Sequence, residues 1–322
     1  MRLCLPHPAK ASAELDSVHK KLKLIQPMAS NIHHVIEGHR LKEGKLRCLT
    51  SKNSWPITAI KSKSLAGIYI HIPYCKQACH YCNFHFSTSA KYTDEMLTAL
   101  KKELRLRKDE AQAPIETLYF GGGTPSMLTA SQISLLIAEV YAQYPVVALA
   151  EITLEANPDS VTAEKLEGYI AAGFNRISFG MQSTSTHVLK VLDRTHDPEN
   201  VKRAVDMARA AGFGSVSVDL IYGTPGESLK DWQSTVTEAV NLGVDHISAY
   251  ALIIEEGTKL AAQIKRGDVA SPDDDLMADM YLYIDQACGI KGLKWYELSN
   301  WAKPGHECRH NIAYWKSNNW WG

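Results

Sequence analysis

From Gly67 onward the chain alternates short apolar runs with longer amphipathic segments, and this alternation restricts the possible folds more than any other feature. Ile68–Pro73, Thr117–Phe120, Glu151–Glu155, Arg176–Gly180, Ser215–Tyr222 and His246–Leu252 read as strands. Between them Tyr92–Lys108, Ser131–Gln143, Thr162–Ala172, Asp197–Ala211 and Leu229–Leu242 place apolar residues three and four apart, as helices do. A further helix is expected over Asp274–Cys288. Strands separated by helices pair in parallel through right-handed crossovers. Two architectures satisfy this, an open doubly wound sheet and a partial barrel.

The residues at the strand ends separate the two. Each expected strand finishes in groups that a core would not choose: Pro73–Tyr74–Cys75, Gly121–Gly122–Gly123–Thr124–Pro125, Glu155–Ala156–Asn157–Pro158, Gln182, Asp219 with Tyr222–Gly223, and Tyr250. A doubly wound sheet gathers its functional groups at one switch point. A (β/α) barrel gathers them at the carboxyl ends of all its strands. The expected fold is therefore α/β, a partial (β/α)6 barrel of parallel strands over residues 66–292. Residues 293–322 are expected to begin a C-terminal region that covers the barrel mouth. Residues 1–65, rich in Lys, His and Ser and without a sustained period, are read as a poorly ordered or spurious extension.

Composition narrows the partners. The 35 basic and 35 acidic residues cancel, which gives no argument for nucleic acid. No apolar run approaches the roughly 18–20 residues that span a bilayer, and the N-terminus lacks the apolar stretch of a secretory signal. The expected location is cytoplasmic, with peripheral attachment at a membrane left open.

Seven cysteines include three within one loop, Cys75–x3–Cys79–x2–Cys82, directly after the first strand. That is a poor disulfide framework and a good metal-binding one. Three thiolates wrapped around a cubane leave one iron without a protein ligand. Zinc is the alternative, since His80 and His85 stand close enough in sequence to complete four ligands.

The segment Tyr69–Ile–His–Ile–Pro–Tyr–Cys75–x3–Cys79–x–Tyr81–Cys82 resembles the motif of radical S-adenosylmethionine enzymes. Within them it resembles the branch holding oxygen-independent coproporphyrinogen III oxidase and the HemW-type haem chaperones, over residues 67–322. The resemblance implies a [4Fe-4S] cluster on Cys75, Cys79 and Cys82, with S-adenosylmethionine chelating the open iron. One electron then cleaves that cofactor to methionine and a 5′-deoxyadenosyl radical. It further implies that Gly122, Gly123 and Thr124 approach the methionine end of the cofactor, with Tyr69, Glu155, Gln182, Arg194 and Asp219 around it. His71, two residues after Tyr69 on the same strand face, is placed behind them.

Two features favour the chaperone side of the branch. The oxidase pattern places a fourth cysteine where this chain has Phe84. His310–Asn311–Ile–Ala–Tyr314–Trp315 resembles the HNxxYW motif of haem-chaperone relatives. The resemblance thus implies haem as ligand, with His310 offering an imidazole to the iron and Tyr314, Trp315, Trp320 and Trp321 covering the macrocycle. Cys308 is the alternative haem ligand. Apo-haemoproteins or respiratory-chain haem proteins would receive the haem, and a flavodoxin or ferredoxin would supply electrons. The rival functions are oxidative decarboxylation of coproporphyrinogen III and a non-catalytic barrel stabilised by zinc. Because members of the branch continue beyond the point reached at Trp320–Trp321–Gly322, the chain is read as a fragment.

Replacing Cys79 by Ala leaves two thiolates, too few for a cubane. C79A should lose the visible absorption that the reconstituted wild-type protein shows, and an unchanged spectrum would refute the cluster assignment.

Overall fold

In the computed structural model, residues 66–322 are described except 111–112 and 195–196; the extension expected over 1–65 lies outside the described residues. Six parallel strands form the centre: β1 (Ala66–Ile72), β2 (Ile115–Gly122), β3 (Val146–Ala156), β4 (Arg176–Gln182), β5 (Ser215–Tyr222) and β6 (His246–Ala251). The crossover helices are α1 (Thr93–Leu106), α2 (Ala130–Gln143), α3 (Ala163–Ala172), a short α4 (Thr186–Val191) with α5 (Pro198–Ala211), and α6 (Leu229–Asn241). Then follow α7 (Lys259–Arg266), α8 (Asp274–Ile290), the strands β7 (Lys294–Glu297) and β8 (Asn300–Ala302), α9 (Arg309–Trp315) and β9 (Asn319–Trp321). Across the sheet the order is β7-β8-β6-β5-β4-β3-β2-β1-β9. The six expected strands and the helices between them are all present.

Local chemistry explains several boundaries. Thr129 before α2 and Ser228 before α6 make reciprocal capping boxes with Gln132 and Asp231, satisfying amides that the first helical turn leaves open. Gly173 and Gly212 end α3 and α5 in the left-handed conformation that a side chain resists.

The two faces of the sheet are chemically opposite. Ile68, Ile70 and Ile72, Leu118 and Phe120, Ile152 and Leu154, Ile177 and Phe179, Val216 and Val218, and Ile247 face the helices and are buried. Alternation sends the intervening residues to the concave face. There the register sets Gly67 beside Thr117 and Glu151, then Tyr69 beside Tyr119 and Thr153, then Gly180 beside Asp219 and Ser248. A polar interior needs hydrogen-bond partners, and most of its groups have them, the buried Thr153 hydroxyl being an exception. Arg176 Nη1 donates to Ser215 Oγ (2.9 Å), Ser178 Oγ to Asp219 Oδ1 (2.9 Å), and Ser217 Oγ pairs with His246 Nδ1 (2.8 Å).

Residues 293–322 extend the sheet at both edges. The β7–β8 hairpin extends the sheet antiparallel to β6, and β9 adds a parallel strand outside β1. Between them α9 lies against the starts of the strands. Glu151, near the start of β3's paired segment, accepts hydrogen bonds from the backbone amides of Arg309 (3.0 Å) and His310 (3.1 Å) at the first turn of α9. A carboxylate there satisfies two orphan amides and complements the positive end of the helix. The C-terminal segment therefore closes the base of the barrel, at the end opposite the cysteine loop.

Glu151 is only 7% exposed, so its removal strands the buried amide of His310 and the part-buried one of Arg309. E151A should lower the free energy of unfolding by about 1–3 kcal/mol. It should also make the stretch from Lys303 to Cys308 the first point of proteolytic cleavage. Unchanged stability and cleavage would show that α9 docks by other means.

Candidate functional site

The cysteine loop follows β1 and closes on itself. Cys75 N donates to Ser87 O (3.0 Å), Ser87 N returns a bond to Pro73 O (2.6 Å), and Cys82 N donates to Cys79 O (3.2 Å). The Cys75 sulfur accepts from Thr124 Oγ1 at 3.6 Å, and the Cys79 sulfur from Arg194 Nη1 at 3.8 Å. Burial first, and then the neighbouring cysteines, raise the thiols of Cys75 and Cys82, while Arg194 opposes the shift in both. The three thiols thus share one electrostatic environment. A bound metal would replace their protons.

This donor set suits a cluster held by three thiolates. Among the described residues no group of three or more His, Cys, Asp or Glu is arranged to hold a single metal ion. Of the two histidines that a zinc site would recruit, His80 has its Nε2 2.7 Å from Lys259 Nζ and 3.4 Å from Asp193 Oδ2.

The Gly121–Gly123 run packs directly against β1 and this loop. A Cβ on Gly121 would meet the Tyr69 ring at 2.9 Å, and one on Gly122, whose φ is +109°, would meet the His71 ring at 2.5 Å. A Cβ on Gly123 would stand 2.8 Å from Tyr74 O and 3.0 Å from the Cys75 sulfur. These glycines hold the cysteine loop at the top of the barrel, apart from any role toward a cofactor.

The remaining expected residues converge on the concave face beside the loop. Glu155 is fixed twice: Tyr119 donates to Oε1 (2.8 Å) and Gly122 N to Oε2 (3.2 Å). Burial, reinforced by Asp219, raises its pKa to about 7. Asp219 is raised as well, mainly by burial, against hydrogen bonds from Ser248 and Ser178. Gln182 takes a left-handed φ of 63°, uncommon outside glycine and Asn or Asp, and its amide nitrogen and the Arg194 guanidinium both lie over Gly180. Arg194 Nη2 donates to Gly180 O at 3.0 Å. Tyr69 lies over Tyr119, with ring centroids 5.9 Å apart. Tyr119, Ser178 and Ser248 escaped the sequence reading because in isolation they are ordinary strand residues. Only the register shows that they hold the two carboxylates.

His310 lies beneath Tyr69 and Tyr119, with ring centroids 6.4 and 5.0 Å away, and is 1% exposed. Its Nδ1 pairs with Thr117 Oγ1 (2.7 Å), its Nε2 with Tyr314 OH (2.8 Å), and it stacks on Tyr119 at 5.0 Å. Burial lowers its pKa to about 4, so the ring is neutral. Both ring nitrogens are engaged, and the side chain is part of the barrel base. The expected presentation of this imidazole to an outside ligand is not found in this conformation. Cys308, the alternative, is buried and directs its thiol to Glu151 (3.5 Å). Tyr314, Trp315 and Trp320 do reach the surface, at 38%, 43% and 39% exposure.

Over residues 69–239 the chain matches the radical SAM superfamily. It is 45% identical to the heme chaperone HemW of Mycobacterium tuberculosis across 80% of this chain and 67% of that protein. It is 35% identical to heme chaperone HemW of Bacillus subtilis, across 80% of this chain and 69% of that protein. This chain belongs to the HemW family of the radical SAM superfamily. The solved coproporphyrinogen III oxidase HemN of Escherichia coli has a related fold, with a TM-score of 0.68 at 27% identity over 79% of this chain and 58% of that one. The chain spans about two thirds of the length of the HemW proteins it matches. Among its described residues no helix is long and apolar enough to cross a membrane.

The raised pKa of Glu155 predicts how a HemW-family barrel of this kind responds to pH. Folding favours the neutral carboxyl, so this group's contribution is complete below its ordinary pKa and is lost as pH rises past about 7. Between about pH 5 and pH 8 the apo-protein should lose about 1–3 kcal/mol more stability than E155Q does. Parallel denaturation curves with the same slope against pH in both proteins would contradict this.

Proposed function

We propose that this chain binds a [4Fe-4S] cluster through Cys75, Cys79 and Cys82, binds S-adenosylmethionine beside it, and carries haem to apo-haemoproteins. What supports the reading most is one arrangement: three thiols on a loop set by Gly121–Gly123 against a ring of fixed carboxylates, in a chain of the HemW family. When bound, the cluster supplies an iron with an open coordination position and the electron for reductive cleavage of the sulfonium.

The chain's own residues have separable parts in this. Glu155, oriented by Tyr119 and Gly122, offers a carboxylate to the cationic end of the cofactor or to its ribose hydroxyls. Asp219, held by Ser178, offers a second. Arg194 and Gln182 both lie over Gly180, where two donors suit the methionine carboxylate. Tyr69 and Thr124 line the approach from the loop side. The electron comes from a reduced flavodoxin or ferredoxin, and the setting is the cytoplasm.

For haem, we place the apolar contact on the exposed rings of Tyr314, Trp315 and Trp320, of which Tyr314 and Trp320 meet edge to face at 5.0 Å. Iron coordination by His310 requires Tyr314 to leave Nε2 first. The oxidase reading keeps one argument, the fold shared with HemN. Phe84 stands where the oxidase pattern has its fourth cysteine, and it is 56% exposed.

Anaerobically reconstituted protein, titrated in parallel with haem and with coproporphyrinogen III, separates the two. Saturable haem binding without porphyrinogen decarboxylation is expected, and W315A should weaken it at least several-fold. Decarboxylation with consumption of S-adenosylmethionine would make the protein an oxidase. Equal haem affinity in wild type and H310A would remove His310 from the haem site.

A further inference from the structure

Three contacts on the cysteine loop come from outside its own motif and converge on one corner of the barrel. Two residues beyond the end of α4, Asp193 adopts a left-handed φ of 56°. Asp193 N bonds back to Lys190 O (3.2 Å) and Arg194 N to Leu189 O (2.8 Å), the pattern that stops a helix and turns the next residue away from its axis. From that turn Asp193 accepts through its carbonyl a bond from the Gln77 amide, and its Oδ2 lies 3.4 Å from His80 Nε2. Arg194, the next residue, reaches between Gly180 O (3.0 Å) and the Cys79 sulfur (3.8 Å). The start of α7 grips the same loop from the other side: Leu260 N donates to His80 O (2.9 Å), and Lys259 Nζ lies 2.7 Å from His80 Nε2.

We propose that the Asp193–Arg194 corner is a positioning element for the iron–sulfur cluster, in which Arg194 donates to the Cys79 sulfur and raises the cluster's reduction potential. This rests on the reading of Cys75, Cys79 and Cys82 as cluster ligands. Hydrogen bonds to cluster sulfurs, together with net charge nearby, are main determinants of iron–sulfur potentials. A reduced cluster carries one more negative charge than an oxidised one. A guanidinium fixed at a ligand sulfur in a partly desolvated site stabilises the reduced state more. Arg194 is fixed because its second nitrogen is held by Gly180 O, a backbone acceptor on β4, and because the left-handed turn at Asp193 sets where its side chain starts. The absence of a Cβ at Gly180 leaves room for this: one added there would stand 3.1 Å from Arg194 Nη2.

The test is a redox titration, without S-adenosylmethionine, of the reconstituted wild type, R194Q and R194K, followed by the spin-resonance signal of the reduced cluster. Iron and sulfide content is measured on each sample. R194Q should titrate at a clearly more negative midpoint at equal cluster content, and R194K, which keeps the charge but not the two-point fork, should fall between. An unchanged midpoint in R194Q overturns the proposal. If R194Q is isolated without cluster, the wild-type and R194K midpoints decide, and equality again overturns it. A wild-type protein that takes up no iron and sulfide would instead fail the cluster reading itself, a result the metal analysis shows before any midpoint is measured.

Discussion

The approach of Gly121–Gly123 to the end of β1 governs the arrangement of the site. Three consecutive positions there have no room for a Cβ, because the rings of Tyr69 and His71 and the backbone and sulfur of the cysteine loop occupy it. The contact ties the loop that carries the thiols to the same strand end that gives Glu155 a backbone donor, Gly122 N. Sulfur ligands and carboxylates are therefore placed by one packing event. A side chain at Gly123 would move Cys75 and, through the adjacent Gly122, loosen Glu155.

The second organising element is the division of the sheet into an apolar and a polar face. Helices cover the first. The second carries hydrogen-bonded polar groups from Glu151 and Arg176 near the base to Glu155 and Asp219 at the top. A polar interior left open at both ends would be hydrated and weakly held. Here α9 caps the base by presenting its amides to Glu151, and His310 fills the gap beside Gly67 and Thr117. At the upper end Glu155 and Asp219 stand beside the cysteine loop, near Gly122 and Ser178.

Much of this was legible in the sequence for physical reasons. Strands buried on a helix-covered face give unbroken apolar alternation, so β1 to β6 announced themselves. Polar residues at strand ends such as Glu155, Gln182 and Asp219 stood out because a core would not contain them. Other elements had no such signal. The three-residue strands β8 and β9 and the seven-residue α9 are too short for periodicity to reveal, and tertiary contacts alone define them. The surroundings of His310 were hidden for a related reason: its partners Thr117 and Tyr314 come from register and helix packing. Likewise nothing local marks Asp193 as the left-handed turn that sends Arg194 to the Cys79 sulfur.

The central claim is that three cysteines hold a cluster with one iron open to S-adenosylmethionine. Its most direct test is the electron spin resonance of the anaerobically reconstituted, reduced protein, with and without that cofactor, on samples of known iron and sulfide content. The account predicts about four irons and four sulfides per chain and a signal that changes shape when S-adenosylmethionine is added. Zinc without sulfide, or a cluster signal indifferent to the cofactor, would contradict it.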